Sequence, residues 1–430
     1  MTTFGQVFAV PRFRVLFASQ ALLVSGDTVK MLAFSVLVYA QTGSPGLSAA
    51  AYMIGFIPQV LGGVLLLSIA DRVRPRRLMI VGELLRVAVC VTLAAGGLPV
   101  WAALALVFVT GMPTPVFMAA RNAMLPEVLA GDAFVLGRAT IGVMVAGAQI
   151  AGFAGGGLVL AAIGAESALL VTAALSLISA AVLRLGLPDG PPRARREGAG
   201  GAGDGAKAGG PAGDAGTVRT TLRVNRALLA DRRVRGLLLA GWLPPMFFVG
   251  AEAVFVPYLT GLGSASGAGL VLAATAAGMG LGDFVVGRFV SPEGRERLVF
   301  PLMLLLGAPL LGFAAQPGVA ASAVLAAAGC ACFAYNLGLQ RPFVDAVPPE
   351  RLGQAYGLQG AGVMTTQALG AAFAGGLAEL VPPHHAIAWT GAAGIACALA
   401  LRATVLRGLG GKGRLTPPGR AAESPPTPAR

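Results

Sequence analysis

Residues 15–40 read VLFASQALLVSGDTVKMLAFSVLVYA, an apolar run whose only charges are Asp27 and Lys30. About 20 such residues are enough to cross the hydrocarbon core of a bilayer as a helix. Arg12 and Arg14 stand before the run, and Thr42-Gly43-Ser44-Pro45 closes it as a turn. The same pattern continues outward. Spans are predicted at about 15–40, 46–70, 78–95, 100–120, 136–162 and 166–187, then at 236–261, 267–290, 298–315, 318–340, 354–381 and 385–407. Hydrophobic residues make up 56% of the 430-residue chain and charged residues 12%, against about 25% charged in a soluble domain. A water-soluble globule could not cover its surface with so few polar groups, and a disordered chain would not be so apolar. Twenty-nine Pro and 62 Gly are tolerated in membrane helices, where neighbouring segments re-satisfy the freed backbone.

The basic residues set the orientation. Arg72 to Arg77 lie between spans two and three, Arg121 and Arg138 flank the fourth connection, and Arg288 to Arg297 follow span eight. Arg341 and Arg351 follow span ten, and Arg402 to Arg430 end the chain. The alternate connections hold no Lys or Arg. That asymmetry places both termini in the cytoplasm of a multi-pass cell-membrane protein, and the net charge of +13 follows from it without a nucleic-acid partner. The first span is too long for a signal-peptide core. Cys90, Cys330, Cys332 and Cys397 all fall inside apolar runs and imply neither a disulfide framework nor a zinc site.

The predicted organisation is a six-helix bundle at 1–187, a cytoplasmic linker at 188–234, a second six-helix bundle at 235–407 and a disordered tail at 408–430. Within the linker, 219–235 reads as a short helix on the membrane surface. The bundles read as repeats. Gly142-Val143-Met144 recurs as Gly362-Val363-Met364, and Phe153-Ala154-Gly155-Gly156 recurs as Phe373-Ala374-Gly375-Gly376, both 220 residues on. Parallel repeats of this kind suit a transporter that rocks one half against the other. The fold class is therefore all-α membrane protein, twelve helices in two six-helix pseudo-repeats.

Ionisable groups inside a membrane are expensive and are usually functional. Asp27 and Lys30, three apart, share a helix face, and Glu252 occupies the matching depth in span seven. They are the candidate lining of a cavity for substrate and proton, in which Lys30 neutralises one carboxylate and leaves the other to bind a proton or a cationic substrate. The competing reading is a Lys30 bridge that ties the halves together.

Asp71-Arg72-Val73-Arg74-Pro75-Arg76-Arg77 resembles the signature loop of the major facilitator superfamily, Gly-x-x-x-Asp-Arg/Lys-x-Gly-Arg-Lys/Arg. Asp71, Arg72 and Arg76 match it, while Leu67, Arg74 and Pro75 depart from its Gly, Gly and Arg positions. Gly282 with Gly287-Arg288 looks like a degenerate second copy. The resemblance implies a cytoplasmic gate built from Asp71, Arg72, Arg76, Arg77, Gly287 and Arg288. Gly147, Gly152, Gly156 and Gly157 in span five are similar to the Gly-rich motif of antiporters in the same superfamily, with Phe153 where that motif has Pro, and close helix packing is the alternative reading. Ser25-Gly26-Asp27, Leu37-Val38-Tyr39 with Thr42-Gly43-Ser44, and Ala120-Arg121 with Leu125-Pro126-Glu127 look like bacterial drug and siderophore exporters.

The expected function is secondary transport by alternating access, most specifically proton-coupled export of a small amphipathic or cationic compound by a monomer. Uptake or facilitated transport of a metabolite, or a transporter-like receptor, are the alternatives. No P-loop or catalytic cluster is present in the sequence, and no cofactor, metal or enzymatic activity is expected.

Overall fold

The computed structural model describes residues 4–55, 58–59, 73–129, 132–188, 223–348 and 351–410. Asp71, Arg72, most of the expected second span, most of the linker and the tail from 411 lie outside the described residues. Every regular element among the described residues is a helix. Eight helical stretches are long and apolar enough to cross a membrane.

Span one is Pro11–Thr42, and span two opens with Pro45–Met53. Gly43 takes the left-handed conformation (φ 66°) that a side chain would resist, and its amide closes span one on the Tyr39 carbonyl. Ser44 then caps span two by accepting the Leu47 amide at 3.0 Å. Span three is Pro75–Ala94. Span four runs as Val100–Gly111 and, past Pro113, as Thr114–Val128, well beyond its expected end near 120. Spans five and six form one continuous stretch, Asp132–Gly186, parted at Gly164 (φ 79°, ψ 174°), a backbone position that glycine alone reaches cheaply.

Span seven is Arg232–Gly261, started by the Asp231 carboxylate accepting the Arg233 and Val234 amides. Spans eight and nine are Ala265–Phe289 and Pro292–Gly307, the latter extended by a 3₁₀ segment, Pro309–Ala315. Span ten is Val319–Ala331 followed by Tyr335–Ala346; spans eleven and twelve are Leu352–Leu380 and Pro383–Gly410. Residues 223–230 are helical, as the 219–235 reading expected for that part. The segment does not lie free on a surface: Leu228 is buried, and Asn225 Oδ1 accepts from Gln354 Nε2 of span eleven at 3.1 Å.

Leu185, Leu380, Val143 and Leu158 are all more than two-thirds exposed, as lipid-facing side chains are. Trp101 and Trp389, also exposed, both lie near the ends of their spans opposite the Arg-rich end, where an aromatic belt would meet the interface.

The repeated glycine motif acquires a physical meaning in the packing. Span five crosses span one where a Cβ on Gly156 would meet Val29 Cγ2 at 3.1 Å, and it crosses span eight where a Cβ on Gly157 would meet the Ser266 carbonyl at 2.8 Å. The second copy makes the counterpart crossings. Span seven approaches span eleven so closely that a Cβ on Gly250 would lie 2.5 Å from the Gly370 carbonyl, and span two meets span eleven at Gly46 and Gly375. Hydrocarbon supplies no hydrophobic drive between helices, so van der Waals contact through small residues holds such crossings. Gly152 packs against Ser25 and Thr28 of span one, whereas Gly147 faces open space and takes no part in a crossing.

The five–eight and two–eleven crossings join the two halves at the end opposite the arginines. Gly157→Leu is expected to wedge the first of them apart, at a cost of about 1–3 kcal/mol typical of overpacking. In a cysteine-free background, a reporter cysteine at Ala268, fully buried in this packing, is then expected to react with an impermeant thiol reagent. Unchanged reactivity would contradict this.

Candidate functional site

The first half holds a charged network. Lys30 Nζ donates to Asp27 Oδ1 at 2.7 Å on span one, as their spacing of three requires. Arg86 of span three reaches the same oxygen from Nε at 3.3 Å and Glu83 Oε2 from Nη1 at 2.9 Å. Arg121 of span four approaches Glu83 Oε1 at 3.4 Å and donates to Ser19 Oγ at 3.0 Å. Ser179 of span six donates to Glu83 Oε1 at 3.0 Å. Glu83 is 1% exposed, so its charge is stable there only because Arg86, Arg121 and Ser179 surround it.

A cavity of ≈ 280 Å³ opens along this network. Asp27, Arg86, Glu83 and Arg121 form its polar wall; Leu23, Met31, Phe117 and Met118 are among its apolar lining. A smaller space of ≈ 80 Å³ adjoins it and reaches Lys30. From Asp27 the larger cavity extends past Gln20 and Met79 to Arg121, toward the Arg-rich end.

Glu252 does not share that cavity, contrary to the expected lining by Asp27, Lys30 and Glu252 together. It sits half-buried in span seven, with Thr275 of span eight at 3.2 Å. Tyr52 of span two and Cys330 of span ten lie within electrostatic reach. Among the described residues no cation pairs with it. The Thr275 hydroxyl is also 2.6 Å from the Leu272 carbonyl. Thr275 Oγ1 donates to Glu252 Oε1 but shares its one proton with the Leu272 carbonyl, so the carboxylate has a single shared donor among the described residues. Lys30 pairs within its own half and does not bridge to the other.

Of the expected gate residues, Asp71 and Arg72 lie outside the described residues, and Arg76, Gly287 and Arg288 make contacts within their own halves. Arg76 Nη2 donates to the Arg184 carbonyl at 2.5 Å, fastening span three to the end of span six. Arg77 lies in the first turn of span three. Arg295 Nη2 donates to the Gly287 carbonyl at 2.5 Å, and Arg288 lies over the Phe289 ring at 5.9 Å. Each contact stays within one half.

Two features escaped the sequence. Arg121, read as the flank of a connection, is a 7%-exposed member of the network because span four continues to Val128. Glu379 of span eleven reaches across to the start of span two, where Oε1 accepts the Gly46 amide at 2.7 Å and the Ser44 hydroxyl. A carboxylate at a helix N-terminus meets unpaired amides and the positive end of the dipole. Glu379→Ala is expected to loosen the two halves at this end, so that spin labels at the exposed positions Leu47 and Leu380 move apart. An unchanged distance distribution would deny Glu379 that role.

The Major Facilitator Superfamily model matches residues 16–263, more than half of the chain. No curated protein sequence matches it. Among solved structures, a mutant of the nucleoside transporter NupG superposes with a TM-score of 0.74 at 14% identity, covering 91% of this chain and 99% of that one. A POT family transporter in complex with a thioalcohol-conjugated peptide gives 0.64 at 13% identity, with 92% and 96% covered. A bacterial homologue of the human lysosomal transporter Spinster, inward-facing and unoccupied, gives 0.58 at 14%, with 93% and 96% covered. At these identities the likeness is one of fold. With the all-helical membrane architecture and a family model spanning more than half its length, the chain is a transporter and belongs to the Major Facilitator Superfamily.

Proposed function

We propose that this protein exports a small amphipathic compound in exchange for protons, by alternating access across the cell membrane. The observation that carries the coupling is Glu252. Its charge has no cation among the described residues to balance it, and its side-chain donor is one hydroxyl shared with the Leu272 carbonyl. A charge at membrane depth costs roughly 3 kcal/mol on insertion scales, so balance comes from a proton or from the cargo.

Direction rests on the exporter-like stretches around Asp27, Tyr39 and Arg121. The arginine asymmetry supports placing both termini and the Arg-rich end in the cytoplasm. The cavity beside Asp27 and Lys30 then faces inward, while the five–eight and two–eleven crossings and Glu379 close the outside. In this reading Asp27 and Lys30 belong to the substrate site. The Asp71–Arg77 loop and Gly287-Arg288 form the cytoplasmic gate, with Arg76 and Gly287 each bonded within its own half. The 188–234 segment joins two bundles that rock against each other, and one chain suffices.

The test is accumulation of a dye and antibiotic panel in an efflux-deficient bacterium expressing the protein, with and without a protonophore. Export predicts lower accumulation that the protonophore abolishes. Raised accumulation would favour the alternative, uptake of a metabolite.

A further inference from the structure

We propose that the cavity of the first half takes the anionic head of an amphipathic organic acid. The proposal rests on the transport reading and names its substrate class. Lys30, Arg86 and Arg121 face Asp27 and Glu83, three cations against two carboxylates among the described residues. Arg86 serves both carboxylates, Lys30 has only Asp27, and Arg121 has only Glu83 and Ser19. Among the described residues one positive charge is therefore left over in a low-dielectric wall, where an uncompensated charge is costly. Glu252, the carboxylate that could have cancelled it, lies in the other half and off this cavity.

The excess has donors to spend. An ammonium carries three protons, and Lys30 commits one. Lys30 lines the smaller space, and a second, independent observation points to a ligand in the larger cavity that adjoins it at Asp27 and Arg86. Gln20 is 7% exposed and lines the cavity, yet its Oε1 has no hydrogen-bond partner. Polar atoms so buried are ordinarily satisfied. A cargo that brings a carboxylate to the cations, and an N–H or O–H toward which the Gln20 amide turns its buried oxygen, satisfies both. Met31, Phe117, Met118 and Leu23 receive its apolar body, in a volume of ≈ 280 Å³. Metal-free, charge-paired recognition of this kind favours an acid over a neutral or cationic compound of the same shape.

The experiment uses the full-length protein in phosphatidylcholine nanodiscs in low-salt buffer, with empty discs as control. Equilibrium dialysis compares 1-naphthylacetate, 1-naphthylacetamide and 1-naphthylmethylamine, matched in shape and differing in charge. The acid is expected to bind about tenfold or more tighter than the amide, with the amine weakest. Lys30→Met is expected to level acid and amide, and Lys30→Arg to preserve the order. Equal binding of acid and amide by the wild type, tighter binding of the amine, or no saturable binding of the acid at millimolar concentration overturns the proposal. So does displacement of the acid by equimolar chloride, which would make this a site for an inorganic anion. Because binding is read without transport, acid binding by a protein that exports nothing would sink the transport reading alone. Export of cations without acid binding would sink this one alone.

Discussion

Glu252→Gln is expected to abolish the proton-driven part of transport while leaving the protein folded and present in the membrane. Glutamine keeps the side chain's size, and its amide oxygen can still accept from Thr275. What it loses is the ability to take up and release a proton. Net transport against a gradient should fall roughly tenfold or more, at least 1.4 kcal/mol of lost coupling. Exchange of labelled for unlabelled substrate, which moves no net proton, should survive. The pair of assays separates a coupling residue from a merely structural one, since a packing defect would depress both. Transport that keeps its full dependence on the pH gradient in Glu252→Gln would remove this residue from the mechanism.

The second large effect concerns stability. Glu83→Ala leaves Arg86 with Asp27 alone and Arg121 with Ser19 alone, both guanidiniums still buried. Breaking a buried pair from one side typically costs about 3–5 kcal/mol, because the surviving charge loses its balance. The melting temperature of the purified protein should fall accordingly. Adding Arg121→Met to Glu83→Ala should recover part of the loss, since it removes one of the orphaned charges. An unchanged melting temperature in Glu83→Ala would mean that water or lipid headgroups already solvate Arg86 and Arg121.

The spans were legible in the sequence because the bilayer imposes a length and forbids most charge, and because arginine placement alternates. The turn at Gly43 was visible as glycine punctuation, and the break at Gly164 falls between the expected spans 136–162 and 166–187. The helix ends were less so. Span four overran its expected end because a 20-residue window stops near residue 120, while a helix bent at Pro113 can continue to Val128. That error hid Arg121, which reads as a positive flank once it is placed outside the span. The Asp27–Lys30 pair was legible from spacing alone. Glu83 and Arg86 are likewise three apart, but the link from Arg86 to Asp27 needed the tertiary packing of span three on span one, which no local pattern encodes. Glu252 was correctly singled out as an intramembrane acid, but its separation from the Asp27 cavity depends on how the halves meet. Glu379 gave no signal, because the orientation rule counts only Lys and Arg. The glycines of span five showed the converse. Their motif was plain, yet only the packing tells that Gly152, Gly156 and Gly157 touch neighbours and that Gly147 does not.

The most direct test of proton-coupled export is a pH-gradient measurement in everted membrane vesicles energised to an acid interior. Adding a compound that the accumulation panel identifies as cargo should dissipate part of the gradient, seen as recovery of a quenched weak-base dye. The recovery should be absent in Glu252→Gln vesicles of equal abundance. A compound that enters the wild-type vesicles and leaves the gradient untouched would contradict proton exchange.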